Sequence, residues 1–159
     1  MIPNLRLDNL YFKPLHELYA MTDRNILIIK TTWSYTITQP ELTGELFYEK
    51  LFELNPSLKL MFPSNMEQQV KKLIDMITYM VTHLQTMEGI QKDIDAMAVR
   101  HAGYGVRKEH YQNVGDALIW VLENRLEDLW SDESRIAWTN LYTLWSSSMM
   151  LASEGYEDK

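Results

Sequence analysis

Cysteine is missing altogether from the 159 residues. Its absence removes disulfides, thiolate zinc sites, cysteine-ligated iron–sulfur clusters, thiol nucleophiles and thioether-linked prosthetic groups in one step. It permits a reducing interior. No run of Lys and Arg occurs, and the formal charge is −7; a nucleic-acid backbone would want the opposite sign, so no nucleic-acid partner is expected. No apolar run reaches the roughly 18 residues that a membrane span requires. The N-terminal stretch "MIPNLRLDNLYFKPLHELYA" has scattered charges and no uninterrupted apolar core, so it does not read as a secretory signal. The expected location is cytoplasmic.

What is present is apolar material in helical register. Hydrophobic residues make up 46% of the chain, and one domain of this length buries roughly 70% of its unfolded surface. Thr22 followed by Asp23 reads as an N-cap with an acidic first turn. Ile26, Ile29, Trp33 and Ile37 follow at helical spacing, so the pattern predicts a helix over 22–37. Pro40 suits the first turn of a second helix carrying Leu42, Leu46, Phe47, Leu51 and Leu54. Asn55-Pro56 ends it and opens a turn through Phe62-Pro63. Ser64 or Asn65 caps a long amphipathic helix with Val70, Leu73, Ile74, Ile77, Val81 and Leu84 on one face, broken at Gly89. A shorter helix over 90–102 exits through Gly103 and Gly105. Two long helices follow, at 107–129 and 132–153, the last with Trp138, Leu141, Trp145 and Met149 inward. Short connections and no repeat point to an all-α packed domain of six to seven helices. Residues 1–21 fall outside the pattern as an N-terminal extension able to dock as an extra helix, 22–153 form the domain, and 154–159 a tail.

Within "AVRHAGYGV", His101 sits in the last turn of a helix ahead of Gly103. Three readings suit it: a capping cation, a buried core residue or a metal ligand. The other histidines are poorer candidates for a metal. His16 in "HELY" has no second histidine at i+4 and so makes no zinc motif. His83 falls on the long helix, and His110 beside Glu109 reads as a solvated surface residue.

From residue 22 onward the chain resembles a globin, most closely a single-domain globin like the haem domain of bacterial flavohaemoglobins. The resemblance is carried in order by "IIKTTW", "ELFYEKLFELNPSLKLMF", "QQVKKL", "RHAGYGVRKEHYQNVGDAL" and "AWTNLY". It implies the globin fold around a pocket for non-covalent haem b, with His101 as the proximal iron ligand and Phe62 packed on the porphyrin. An iron porphyrin needs an imidazole nitrogen on one face and a mostly dry cavity on the other, which agrees with the place of His101. His83 lies about 21 Å along the helix from Gln69, too far for the sixth ligand position. The resemblance also brings Leu73, Tyr104, Val106 and Tyr111 to the cofactor.

On the open side of the iron the resemblance places Tyr48 and Gln69. A phenol inside an apolar stretch needs a partner, and Gln69 can serve both that phenol and a bound diatomic. Against this stand bland readings, a surface-tipped aromatic and a solvated helix residue. Gly44, one turn before Tyr48, lets the second helix approach the long helix closely. Lys72 is expected to pair with a haem propionate; its other option is an internal sixth ligand if its pKa falls enough. The family's proximal glutamate position falls on Ser153, with Glu154 beside it, so the carboxylate that makes the imidazole more basic is missing unless the last turn shifts.

The implied function is binding of dioxygen, NO and CO, with oxygen favoured by hydrogen bonds from Tyr48 and Gln69. Nitric oxide dioxygenation is the implied chemistry, giving nitrate, with an external reductase because the chain carries no flavin or nicotinamide motif. Oxygen binding, storage or scavenging are its simpler forms. The alternative is a gas-sensing or regulatory globin-fold module, against which no output domain follows residue 153. A monomer or homodimer is expected.

Overall fold

The computed structural model describes residues 21–157; the expected N-terminal helix lies outside the described residues. Six α-helices follow among them: α1 (Asp23–Thr36), α2 (Pro40–Leu54), α3 (Glu67–Thr82), α4 (Gln91–Gly103), α5 (Lys108–Leu126) and α6 (Asp132–Glu157). Short 3-10 turns lie at Pro56–Met61, Met87–Ile90 and Glu127–Leu129, and no strand occurs among the described residues.

The starts of the first two helices follow the sequence signals. The Thr22 hydroxyl accepts from the Asn25 N–H at 3.1 Å, and Pro40 occupies the first turn of α2. Three helix ends differ from expectation. Helix α3 stops at Thr82, well before Gly89. There the Thr82 hydroxyl and the His83 ring both turn to carbonyls four residues back, at 2.7 Å each, and local side-chain bonding of this kind competes with continued helix. The expected helix 107–129 is divided by Glu127, whose φ of 48° ends α5 before a 3-10 turn. The last helix runs past the expected end at 153 to Glu157.

The core is built on α1 and α6. Trp33 and Trp138 are buried with ring centroids 5.8 Å apart. Both indoles of this pair find an acceptor: Trp138 Nε1 donates to Thr32 Oγ1 at 2.9 Å and Trp33 Nε1 to Thr78 Oγ1 at 3.0 Å, whereas the buried Trp145 Nε1 has none among the described residues. Helix α2 packs along α5, and α4 along α6. Helix α3 rests on α1 and α2. Helices α3 and α4 are thus carried by separate supports, which fixes where Gln69 and His101 can stand.

The α2–α3 crossing is unusually close. A Cβ on Gly44 would lie 3.2 Å from Val70 Cβ and overlap Val70 Cγ1 outright. Only glycine admits this approach, and it brings the next turn of α2, with Tyr48, against the start of α3.

Candidate functional site

Helix α2 buries Phe47, Tyr48 and Leu51 together, leaving Leu42 and Leu54 substantially exposed. Tyr48 is therefore a core residue, 5% exposed. Its ring stands edge-on to Phe62 at a centroid distance of 5.3 Å and to Phe47 at 5.1 Å. Phe52, one turn further along α2, lies 5.9 Å from Tyr48 and 5.5 Å from Phe62. Phe52 was invisible to motif reading, although its i+4 spacing from Tyr48 is the available signal.

The polar neighbour of the Tyr48 hydroxyl is the Gln69 amide on α3. Burial pushes the phenol up to about 12, with the Gln69 amide working in the opposite direction. A phenol so disposed stays protonated and can donate. Gln69 is half-buried and Leu73, one turn on, is half-buried against the core. Lys72 is exposed, forming no ion pair among the described residues, whereas the adjacent Lys71 pairs with Asp75.

His101 is half-buried near the end of α4. Its Nδ1 lies 2.8 Å from the Met97 carbonyl. A carbonyl only accepts, so Nδ1 carries the proton and Nε2 presents its lone pair. Burial lowers the imidazole below its ordinary value, and the neighbouring Arg100 cation pushes the same way. The Met97 carbonyl opposes them. The result is a neutral imidazole with one nitrogen oriented by the backbone and the other available as a ligand.

The remaining expected residues divide. Tyr111 is half-buried, its phenol raised by burial, and its backbone carbonyl accepts from the Tyr142 hydroxyl. Val106 is half-buried, whereas Tyr104 is 68% exposed with its ring 6.3 Å from that of His101. On α6 the Ser153 hydroxyl donates to the Met150 carbonyl at 2.8 Å, and Glu154 pairs with Lys108 at 3.1 Å. Among the described residues the partner of His101 Nδ1 is the Met97 carbonyl, not a carboxylate. His83 and His110 are otherwise engaged: His83 stacks on Tyr79 at 4.4 Å, and His110 Nδ1 accepts the Arg107 N–H at 3.0 Å at the start of α5. His110 lies at the surface as expected and adds a capping role there.

This donor set fits haem. Among the described residues no group of three His, Asp or Glu side chains gathers as a metal cluster. A single neutral imidazole holds only a metal that brings its remaining ligands with it, as an iron porphyrin does. Phe62, Leu73, Met66 and Tyr111 are core-facing apolar side chains left partly exposed, which suits a flat apolar group laid against them. No helix among the described residues is long and apolar enough to cross a membrane.

Comparison with known proteins agrees. The chain is 26% identical over 125 residues to a flavohemoprotein of Vibrio cholerae, a match covering 77% of this chain and 32% of that protein, so the chain spans about a third of its length. It is 23% identical over 143 residues to neuroglobin-1 of Oncorhynchus mykiss, covering 81% of this chain and 90% of that one. The bacterial globin from Campylobacter jejuni superposes with a TM-score of 0.77 at 25% identity, covering 87% of this chain and 100% of that one. The globin family model matches residues 45–149, which take in Tyr48, Phe62, Gln69 and His101, and the chain belongs to the globin family of haem-binding, gas-interacting proteins.

Proposed function

We propose that this chain is a haem b protein that binds dioxygen and other diatomic gases, and that it works as a nitric oxide dioxygenase fed by a separate reductase. The observation that carries the reading is the Tyr48 phenol, 5% exposed, enclosed by aromatic rings and with the Gln69 amide as its polar neighbour. When bound, haem would supply an iron centre able to take up a diatomic gas.

The chain's own residues do the rest. His101 offers Nε2 to the iron while the Met97 carbonyl holds its ring in one orientation. Tyr48 and Gln69 donate to the partial negative charge that dioxygen acquires, each bond contributing roughly 1–3 kcal/mol. Carbon monoxide develops less charge and gains less. Phe62, Leu73, Val106 and Tyr111 would exclude water from a bound haem, exposed Lys72 would be free to pair with a propionate, and Tyr104 would contribute from the surface. Dioxygen and nitric oxide, with one electron supplied from outside, give nitrate. The likeness of this globin domain to one part of a flavohemoprotein supports an electron donor outside the globin domain.

Absorption spectra of the purified protein in ferric, ferrous and CO-bound forms test the cofactor. Nitric oxide consumption under oxygen with a chemical reductant tests the chemistry. Stoichiometric nitrate is the expected product, and its absence overturns the dioxygenase reading while leaving gas binding to be judged from the spectra.

A further inference from the structure

The chemistry above gives no role to Phe52. It is half-buried on α2, one turn after Tyr48. Its ring lies 5.9 Å from Tyr48 and 5.5 Å from Phe62, which are themselves 5.3 Å apart. The three rings form a closed triangle, all at distances where tilted and edge-on aromatic contacts are favourable. Phe47 meets Tyr48 edge-on from within the core, at 85° between planes. Two rings in contact can slide or roll as a pair, and a third touching both removes that freedom in a close-packed interior.

The chain path accounts for the triangle. Helix α2 ends at Leu54, the 3-10 turn Pro56–Met61 follows at once, and the Phe62 N–H closes on the Lys59 carbonyl at 3.3 Å. Phe62 therefore reaches the α2 face that carries Tyr48 and Phe52 after a short, hydrogen-bonded connection.

We infer that Phe52 is a positioning residue: wedged against both Tyr48 and Phe62, it fixes the direction of the Tyr48 hydroxyl and makes Tyr48 a stationary donor. The inference rests on the reading of Tyr48 as the gas-facing donor given above. A stationary donor keeps oxygen and carbon monoxide apart, because its geometry cannot adapt to the less polar ligand. Phe62, the ring that a porphyrin would touch, meets Tyr48 directly, and Phe52 braces both rings from the side.

The test uses ferrous, CO-bound protein with ring-labelled tyrosine, the Tyr48 signals being assigned from Tyr48→Phe. In the wild type the two edges of the Tyr48 ring give separate resonances. In Phe52→Leu they merge as the ring flips faster, and Phe52→Tyr, which keeps the ring, restores the separation. Phe52→Met keeps the volume without an aromatic ring and replaces Phe52→Leu if that variant fails to fold. Oxygen release, followed in parallel, rises about fivefold in Phe52→Leu, the size expected for residues in contact, and rises no further when Phe52→Leu is added to Tyr48→Phe. Unchanged Tyr48 ring motion, or an equal effect on oxygen release in the Tyr48→Phe background, overturns the inference. Faster ring motion in Phe52→Leu with no change of oxygen release in Tyr48→Phe upholds the positioning and overturns the donor reading.

Discussion

His101 donates its Nδ1 proton to the carbonyl of Met97, 2.8 Å away and one turn back on the same helix. A backbone carbonyl orients the imidazole but draws its proton less than a carboxylate would. The position where the family carries that carboxylate is Ser153, whose hydroxyl donates to the Met150 carbonyl, and the neighbouring Glu154 pairs with Lys108. An iron held by such an imidazole would receive little added electron density, which speaks against peroxidase-like chemistry at this site.

If His101 is the iron ligand, His101→Ala loses haem or retains it only with added imidazole. His83→Ala and His110→Ala keep the haem spectrum, because those rings serve a helix end and a helix start. The check is the absorption spectrum after gel filtration. Full haem retention by the His101 variant would remove the ligand assignment.

If Tyr48 and Gln69 are the gas-side donors, oxygen dissociation separates their contributions. Tyr48→Phe and Gln69→Leu each speed release by about tenfold per 1.4 kcal/mol lost. The two are neighbours, so the double variant should fall short of the product of the single effects. Stopped-flow release is the measurement, with carbon monoxide association as the control. Unchanged release in all three variants would mean that oxygen is held by other means.

The buried phenol also predicts an alkaline weakness. Tyr48 moves from 10.0 in its ordinary state to about 12 in the fold. Between those values the unfolded chain has released the proton and the folded chain has kept it, so stability falls as pH rises through the window. The loss from this residue should reach about 1 kcal/mol near pH 11 and be absent below about pH 9. Urea unfolding at both pH values measures it, and Tyr48→Phe should reduce the difference. Tyr142, raised by burial and by Tyr111 and Asp116, acts in the same direction, so Tyr142→Phe is the natural companion. An equal alkaline loss in wild type and Tyr48→Phe would assign the weakness elsewhere.

The α2–α3 crossing tolerates no methyl group. Gly44→Ala should destabilise by about 1–3 kcal/mol, the usual cost of overpacking, and disturb Gln69 through its neighbour Val70. Val70→Ala removes the obstructing methyls and should recover part of the loss in the double variant. Thermal unfolding of the four proteins is the test. Simple additivity of the two single effects would show that the contact is not the cause.

Much of the architecture was legible because its signals are local. Thr22 and Pro40 mark helix starts by their own chemistry, and the spacing of Ile26, Ile29 and Trp33 names the buried face of α1 without knowledge of the rest. Gly89 misled, because the end of α3 is set at Thr82 and His83 by side chains reaching back to carbonyls. The site was half legible. Tyr48, Gln69 and His101 came from family motifs, and Gly44 from its place one turn before Tyr48. Phe52 gains meaning only when the turn brings Phe62 to it. The Met97 carbonyl is common to every residue, so no letter in the sequence announces that it orients the imidazole. The capping role of His110 was hidden because imidazole is an unusual acceptor at that position.

Separate supports for α3 and α4 carry an evolutionary corollary. The helix bearing Gln69 leans on α1 and α2, and the helix bearing His101 leans on α6. Substitutions on the α4-facing side of α6 would act first on His101, and those on the α3-facing sides of α1 and α2 first on Gln69. A lineage built this way can vary the two sides separately only as far as the buried Trp33–Trp138 pair, which joins α1 to α6, allows.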